Sequence, residues 1–314
     1  MTLHDRIKGA LYGFALGDAL GLGTEFMTRE EIAGYYPDKC RRFSDIIRDA
    51  HRSQWQPGQW TNDTEFMICL CEQILDNGDF DVYEAAKYIK KTFDALSGDT
   101  SPVLRAVMNN PGWVENPILK THETWRRQKL SEASNEAIQR GIVSGLLCSR
   151  EQLGQTTRRM VLLTNDDSRC VSSTMVIAYM THCLLHTGEP APFDDLTAIC
   201  YAADARTIPF LEATLHEDIN TIGIDDEDTM MYTRKSMAAG LWPVWHCQKA
   251  EDYIYSIIDQ GGDADTNAAI SGAFAGLRFG FDALPDIKEE IIDKERLDIL
   301  ADRITDYVRK NIMR

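Results

Sequence analysis

Gly261-Gly262-Asp263-Ala264-Asp265-Thr266-Asn267, followed by Ala268-Ala269-Ile270-Ser271-Gly272-Ala273, runs two glycines into an Asp-x-Asp-Thr cluster and then into a helix of small residues. Ala268, Gly272, Gly276 and Gly280 fall on one stripe of that helix, and Gly9, Gly13, Gly17 and Gly21 fall on one stripe of another. A glycine inside a helix costs about 0.8–1.0 kcal/mol relative to alanine. Two such stripes therefore point to places where helix backbones approach closely. They read as the two faces of one antiparallel pair; the alternative is that each packs on some other helix. In the antiparallel register, the end of the first helix, with Asp18 and Glu25, meets the start of the second, with Asp263 and Asp265. A membrane reading of Gly-x-x-x-Gly fails, because the chain has no apolar run of about 20 residues.

The rest of the chain repeats the helical period. Ile7, Leu11, Phe14 and Ala15 recur at three- and four-residue intervals, as do Met67, Leu70, Cys71 and Ile74, then Ile138, Ile142 and Leu146, then Val176, Tyr179, Met180 and Leu184. The spacing predicts helices over roughly 5–20, 62–76, 81–97, 132–147, 170–187, 194–204, 231–246, 250–259, 266–280 and 294–312. Alternating strand-like runs are scarce, so the fold class is all-α. No linker or composition shift divides the 314 residues, and 1–314 reads as a single domain.

A net charge of -16 repels polyanions, and no basic patch interrupts it, so nucleic acid is not expected as the primary ligand. The first residues lack the basic-then-apolar pattern of a signal peptide, which predicts a cytoplasmic protein with no membrane partner. Eight cysteines without a Cys-x-x-Cys pair fit reduced thiols in helices. A small anionic ligand is still compatible with an acidic chain where bound metals and helix N-termini supply positive field.

Two clusters carry the chemistry. Thr61-Asn62-Asp63-Thr64, after Gly58-Gln59-Trp60, repeats the oxygen-rich pattern of Asp263, Asp265 and Thr266 at a second helix start. All-oxygen donors select Mg²⁺, Mn²⁺ or Ca²⁺ over zinc. Asp, Asn and Thr are also favoured helix caps, and Asn62 with Glu65 has the spacing of a capping box, so both readings stand. Elsewhere, His182 and His186 have metal spacing, but Cys183 stands where a zinc-protease helix carries glutamate, which favours packed histidines. Asp225-Asp226-Glu227-Asp228 reads as a solvated loop, and Trp55 and Trp60 read as core more readily than as a stacking platform.

The quoted segments, in order, resemble the ADP-ribosylglycohydrolase family, which includes the dinitrogenase-reductase-activating glycohydrolases and the ADP-ribosylarginine and ADP-ribosylserine hydrolases. Gly9-x-x-x-Gly13-x-x-x-Gly17-Asp18-Ala19-Leu20-Gly21 with Glu25-Phe26 is similar to the family's opening helix and glutamate loop. Gly58 to Thr64 is similar to its first metal motif, Ser134-Asn135-Glu136-Ala137 to the loop that cradles phosphates, and Gly261 to Ala273 to its second metal motif. The resemblance implies an orthogonal all-α bundle with a central two-metal cleft. It further implies two ions, Mg²⁺ or Mn²⁺, held by Thr61, Asn62, Asp63, Asp263, Asp265 and Thr266. On the same ground Glu25, Asp63 and Asp263 are assigned to catalysis, with Glu25 as acid/base or gate, and Ser134, Asn135 and Gly262 to ligand binding. The implied reaction is hydrolysis at C1″ of ADP-ribose, freeing it from a protein side chain or small acceptor.

Three positions depart from the family pattern. Asn62 replaces an aspartate and removes one negative charge from the metal site. Glu136 stands where small residues are common, either repelling a diphosphate or pointing to solvent, and Asn165-Asp166 falls where a His-bearing loop is frequent. Weaker metal binding with activity kept, an altered substrate, and a non-catalytic ADP-ribose-binding or structural protein on the same fold all follow as alternatives.

Overall fold

The computed structural model describes residues 1–96 and 100–313. Among them are fifteen α-helices and no strands: α1 (Leu3–Gly21), α2 (Arg29–Tyr35), α3 (Asn62–Asn77), α4 (Val82–Ala95), α5 (Pro102–Met108), α6 (Pro117–Gln128), α7 (Arg140–Leu147), α8 (Arg150–Val161), α9 (Ser168–Thr187), α10 (Phe193–Ala203), α11 (Ile208–Ala213), α12 (Thr233–His246), α13 (Ala250–Ile258), α14 (Ala264–Phe279) and α15 (Lys294–Asn311). The all-α class expected from the periodicity is the class observed. No described helix is long and apolar enough to cross a membrane. All eight cysteines are free thiols, seven of them buried.

The two glycine stripes face each other, antiparallel. A Cβ on Gly9 would lie 2.6 Å from the Gly276 carbonyl oxygen, one on Gly13 2.0 Å from that of Gly272, one on Gly17 2.1 Å from that of Ala268, and one on Gly21 2.5 Å from that of Ala264. Backbone is in contact with backbone along the whole seam, so no side chain fits between. Both helices are buried nearly all round, α1 from Gly9 to Gly21 and α14 from Ala264 to Leu277, as befits a pair at the centre of a bundle. Helices α12 and α13 pack on α14, α15 packs on α1, and α9 gathers α7, α8 and α10 on the other side.

Helix α7 begins at Arg140, not at 132, which corrects the predicted helix over 132–147. Residues 133–135 instead pair with the chain before α12: Asn135 N–H donates to Met231 O at 3.0 Å, and Thr233 N–H to Ala133 O at 2.8 Å. The predicted helix over 81–97 is α4, and its last predicted residue, Ser97, lies outside the described residues. Five helices are additional to the ten predicted. Helices α2, α5 and α11 are too short to show a period. Helices α6 and α8 hide theirs because threonine carries it: Thr121 and Thr124 in α6 and Thr156 and Thr157 in α8 are buried beside Trp125, Leu153 and Met160. Their hydroxyls are satisfied internally, Thr124 on Lys120 O at 2.8 Å and Thr157 on Leu153 O at 2.7 Å, which lets a polar residue serve as core.

Trp55 and Trp60 are buried, as a core reading requires. His182 and His186 pack ring to ring at 4.3 Å, and burial pushes His182 down to about 4, so it stays neutral. The acidic run at 225–228 is not wholly solvated: Asp225 pairs with Arg29 at 3.0 Å and Asp226 with Lys235 at 2.7 Å, which pins the loop ahead of α12.

Candidate functional site

Helix α1 delivers Asp18, fully buried, to the start of α3. One carboxylate oxygen accepts the Thr61 amide at 3.0 Å; the other accepts the Thr64 amide at 3.0 Å and the Thr64 hydroxyl. These bonds hold the first acidic motif in place by satisfying free N–H groups of the helix N-terminus. Burial pushes the Asp18 carboxyl up to about 6, against the pull of the Thr64 and Thr61 hydrogen bonds. Asp18→Ala strands two buried amides and is expected to destabilise the protein by about 2–4 kcal/mol in urea unfolding. A change under about 0.5 kcal/mol would show that the anchor is dispensable.

Beyond α1 the chain turns through Glu25 and Phe26. Phe26 has φ +58°, and Gly261 and Gly262 have φ +70° and +65°. A Cβ on Gly261 would lie 2.0 Å from Met27 O, so only glycine fits there. The Gly262 amide donates to Met27 O at 2.9 Å and the Phe26 amide to Gly262 O at 2.6 Å, which ties the Glu25 loop to the second acidic motif. Arg52, buried, donates to Gly23 O and Glu25 O at 3.0 and 2.5 Å, and His51 Nε2 lies 2.6 Å from Glu25 Oε2.

The outcome is a cluster in which carboxylate oxygens of Glu25, Asp263 and Asp265 lie within 4.8 Å of one another, all three residues buried. Asp63 joins through Thr266, whose hydroxyl donates to Asp63 Oδ2 at 2.6 Å across 203 positions of sequence. The capping reading fails for Asp263: it occupies the N-cap of α14 yet makes no side-chain cap. Its carboxylate instead accepts from the Asn135 amide, which also donates to Ser236 Oγ at 2.8 Å. At α3 the cap is Thr61, which accepts the Asp63 amide at 3.4 Å, so the Asn62–Glu65 capping box is corrected. Glu65 turns to Trp60 Nε1 and Arg296, at 2.9 and 2.7 Å. Burial raises the Asp265 carboxyl well above its ordinary range, with the charges of Glu25, Asp263, Asp63 and Asp18 adding to it. Asp263 is raised by burial as well, with Asn135 opposing. Buried, mutually repelling carboxylates made only of hard oxygen donors suit a hard divalent cation.

These groups line a cleft of about 310 Å³, with Asn62, Asp63, Asn135, Glu136 and Thr266 beside the cluster. Glu25, Asp63, Glu136, Asp263, Asp265 and His51 are its ionisable lining; lysine and arginine are absent among the described lining residues. Three residues assigned from sequence stand apart from this lining. Gly262 spends both backbone groups on the bridge to the Glu25 loop, and Thr61 lies behind the cleft as a cap. Ser134 opens on a neighbouring hollow, its hydroxyl between Glu136 and Asn165 at 3.3 and 3.2 Å. No helix N-terminus stands at 135, since α7 begins at Arg140, so the 132–139 segment brings no helix-end field to the cleft. Sequence reasoning missed His51 and Arg52. They sit in a stretch with no helical period, and the only signal was a run of polar residues between Glu25 and the first acidic motif.

A family model described as ADP-ribosylglycohydrolase matches residues 1–312. The ADP-ribosylarginine hydrolase of Serratia proteamaculans is 22% identical over 306 residues, covering 96% of this chain and 79% of that protein. The ADP-ribosyl-dinitrogen reductase glycohydrolase of Rhodospirillum rubrum is 25% identical over 292 residues, covering 90% of this chain and 89% of its own. A solved chain described as an ADP-ribosylglycohydrolase-related protein complex shares the fold, with a TM-score of 0.73 at 23% identity over 97% of this chain and 98% of that one.

Proposed function

The chain belongs to the ADP-ribosylglycohydrolase family, and from that premise we propose that it is a metal-dependent hydrolase that frees ADP-ribose from a modified side chain or small acceptor. The observation that carries the metal dependence is the gathering of Glu25, Asp263 and Asp265 within 4.8 Å in a cleft with no lysine or arginine among its described lining residues. Asn62, Asp63, Asp263, Asp265 and Thr266 are the residues that would hold two ions, Mg²⁺ or Mn²⁺, with Thr61 completing the set from behind. Bound there, such ions supply Lewis acidity and make water more acidic.

The chain's own residues do the rest. Glycosidic cleavage passes through an oxocarbenium-like state and needs a carboxyl that exchanges a proton at the leaving atom. Glu25 is the group for that role: it lines the cleft, is 8% exposed, and is held from both sides by Arg52 on its backbone and His51 on its carboxylate. Asn135 fixes the Asp263 carboxylate, and Thr266 fixes that of Asp63, so the two acidic motifs share one rigid frame.

Substrates carrying ADP-ribose on arginine, on serine and on a small acceptor test this reading. Free ADP-ribose is expected from at least one of them with Mg²⁺ or Mn²⁺, and its release is expected to fall by at least about a hundredfold with chelator. Turnover that survives complete removal of divalent ions would overturn the metal dependence. Absence of release from every linkage, with metal bound, would overturn the substrate class.

A further inference from the structure

A cleft lined by five carboxyl groups and no lysine or arginine among its described lining residues repels a diphosphate. Four of those carboxyls belong to Glu25 and the residues assigned to metal. The fifth is Glu136, whose Oε2 accepts from Ser134 Oγ at 3.3 Å while buried Oε1 makes no well-formed hydrogen bond, the Leu104 amide that faces the carboxyl donating to Ser101 Oγ at 3.1 Å. A buried carboxylate oxygen left unpaired is unfavourable, whereas the protonated acid offers a donor.

The groups that face Glu136 do not neutralise it directly. Arg140, one turn further on, donates to Met160 O at 2.6 Å and Val161 O at 3.4 Å instead. Asp263 lies on the α14 side, the Leu104 amide on the α5 side, and the Cys170 thiol on the α9 side. Burial pushes the Glu136 carboxyl up to about 7; Ser134, Arg140 and the Leu104 amide oppose the rise, and Asp263 adds to it. With C1″ at the carboxyl cluster, Thr100, Ser101, Leu104, Glu136 and Gln139 are among the lining residues that remain for the rest of ADP-ribose.

We propose, resting on the ADP-ribosyl reading above, that Glu136 is a specificity-determining residue: as the neutral acid it donates a hydrogen bond to a phosphoryl oxygen, and as the carboxylate it turns the diphosphate away. The proton leaves to solvent as pH rises, so affinity is high below the Glu136 transition and lost above it. The diphosphate diester keeps its charges throughout that range and contributes no titration of its own.

Calorimetric titration of ADP-ribose into the full chain, with Mg²⁺ present, tests this at about pH 6 and about pH 8.5. The parent is expected to lose affinity about tenfold or more between them. Glu136→Gln, a permanently neutral donor, is expected to bind tightly at both; Glu136→Ala is expected to be equally flat but severalfold weaker at the lower pH. A flat profile in the parent, or an undiminished pH loss in Glu136→Gln, overturns the inference alone, since neighbouring carboxyls would then carry the effect. Equal binding by the Ala and Gln variants at the lower pH overturns the donor role. No ADP-ribose binding by any form at either pH overturns the substrate reading and this inference with it. The Gln variant preserves side-chain volume, so the test does not depend on Glu136→Ala folding.

Discussion

Asp265→Asn is expected to lower kcat/KM for ADP-ribose release by about a hundredfold to a thousandfold, the loss of several kcal/mol of metal-borne stabilisation. The same variant is expected to be at least as stable as the parent without metal. The ionised carboxyl sits buried among Glu25, Asp263, Asp63 and Asp18, all of which push its proton affinity up. A carboxyl raised on folding destabilises the native state once pH exceeds the unfolded value, because the unfolded chain then releases the proton more readily. Above that pH the neutral amide removes the penalty; in acid, where Asp265 is protonated in both states, the advantage disappears. Thermal unfolding at about pH 8 and about pH 2.5 reads both limbs. Mg²⁺ is expected to raise the melting temperature of the parent and not of Asp265→Asn. Asp263→Ala follows in activity but not in stability, since it also strands the Asn135 amide. A variant that keeps parental turnover at saturating Mg²⁺ would remove Asp265 from the metal site.

Gly13→Ala is the second large effect, and it falls on the fold. The new methyl would sit 2.0 Å from Gly272 O, and the obstacle is the backbone of a buried helix that cannot turn aside. Separation of α1 from α14 along the seam is expected to cost about 3 kcal/mol or more, beyond the usual penalty for overpacking. Gly34→Ala is the matched control: it lies in α2, and an added Cβ there meets nothing within 4 Å. That change is expected to be neutral or to stabilise by up to about 1 kcal/mol. Similar unfolding midpoints for the two variants would mean that the seam yields.

The same seam explains why so much was legible beforehand. A glycine repeat is unfavourable in a helix unless backbone meets backbone, so two in-register stripes specified the α1–α14 pairing, its direction and the meeting of Glu25 with Asp263 and Asp265. The acidic motifs stood out because oxygen donors were concentrated beside glycines. Hidden elements were of two kinds. Helices α6 and α8 bury threonines whose hydroxyls donate to backbone carbonyls, Thr124 and Thr157 four residues back and Thr121 to Leu163 O, and no hydrophobic period records that. His51 and Arg52 act through a few long-range contacts made from an irregular stretch, where neither spacing nor composition marks the partner. The period of Ile138, Ile142 and Leu146 does not mark where its helix starts: Ala133 and Asn135 pair with Thr233 and Met231, and only turns follow until Arg140.

The partner of α1 in the seam is α14, which starts at Ala264, roughly five-sixths of the way along the chain. During synthesis the first helix therefore leaves the ribosome with its glycine face uncovered, and it stays so until α14 has been made. The acidic cluster cannot form before Asp263 and Asp265 join Glu25. Closing so long a loop carries a large entropic cost, so the seam and the acidic cluster that depends on it are set by one long-range pairing rather than piecemeal.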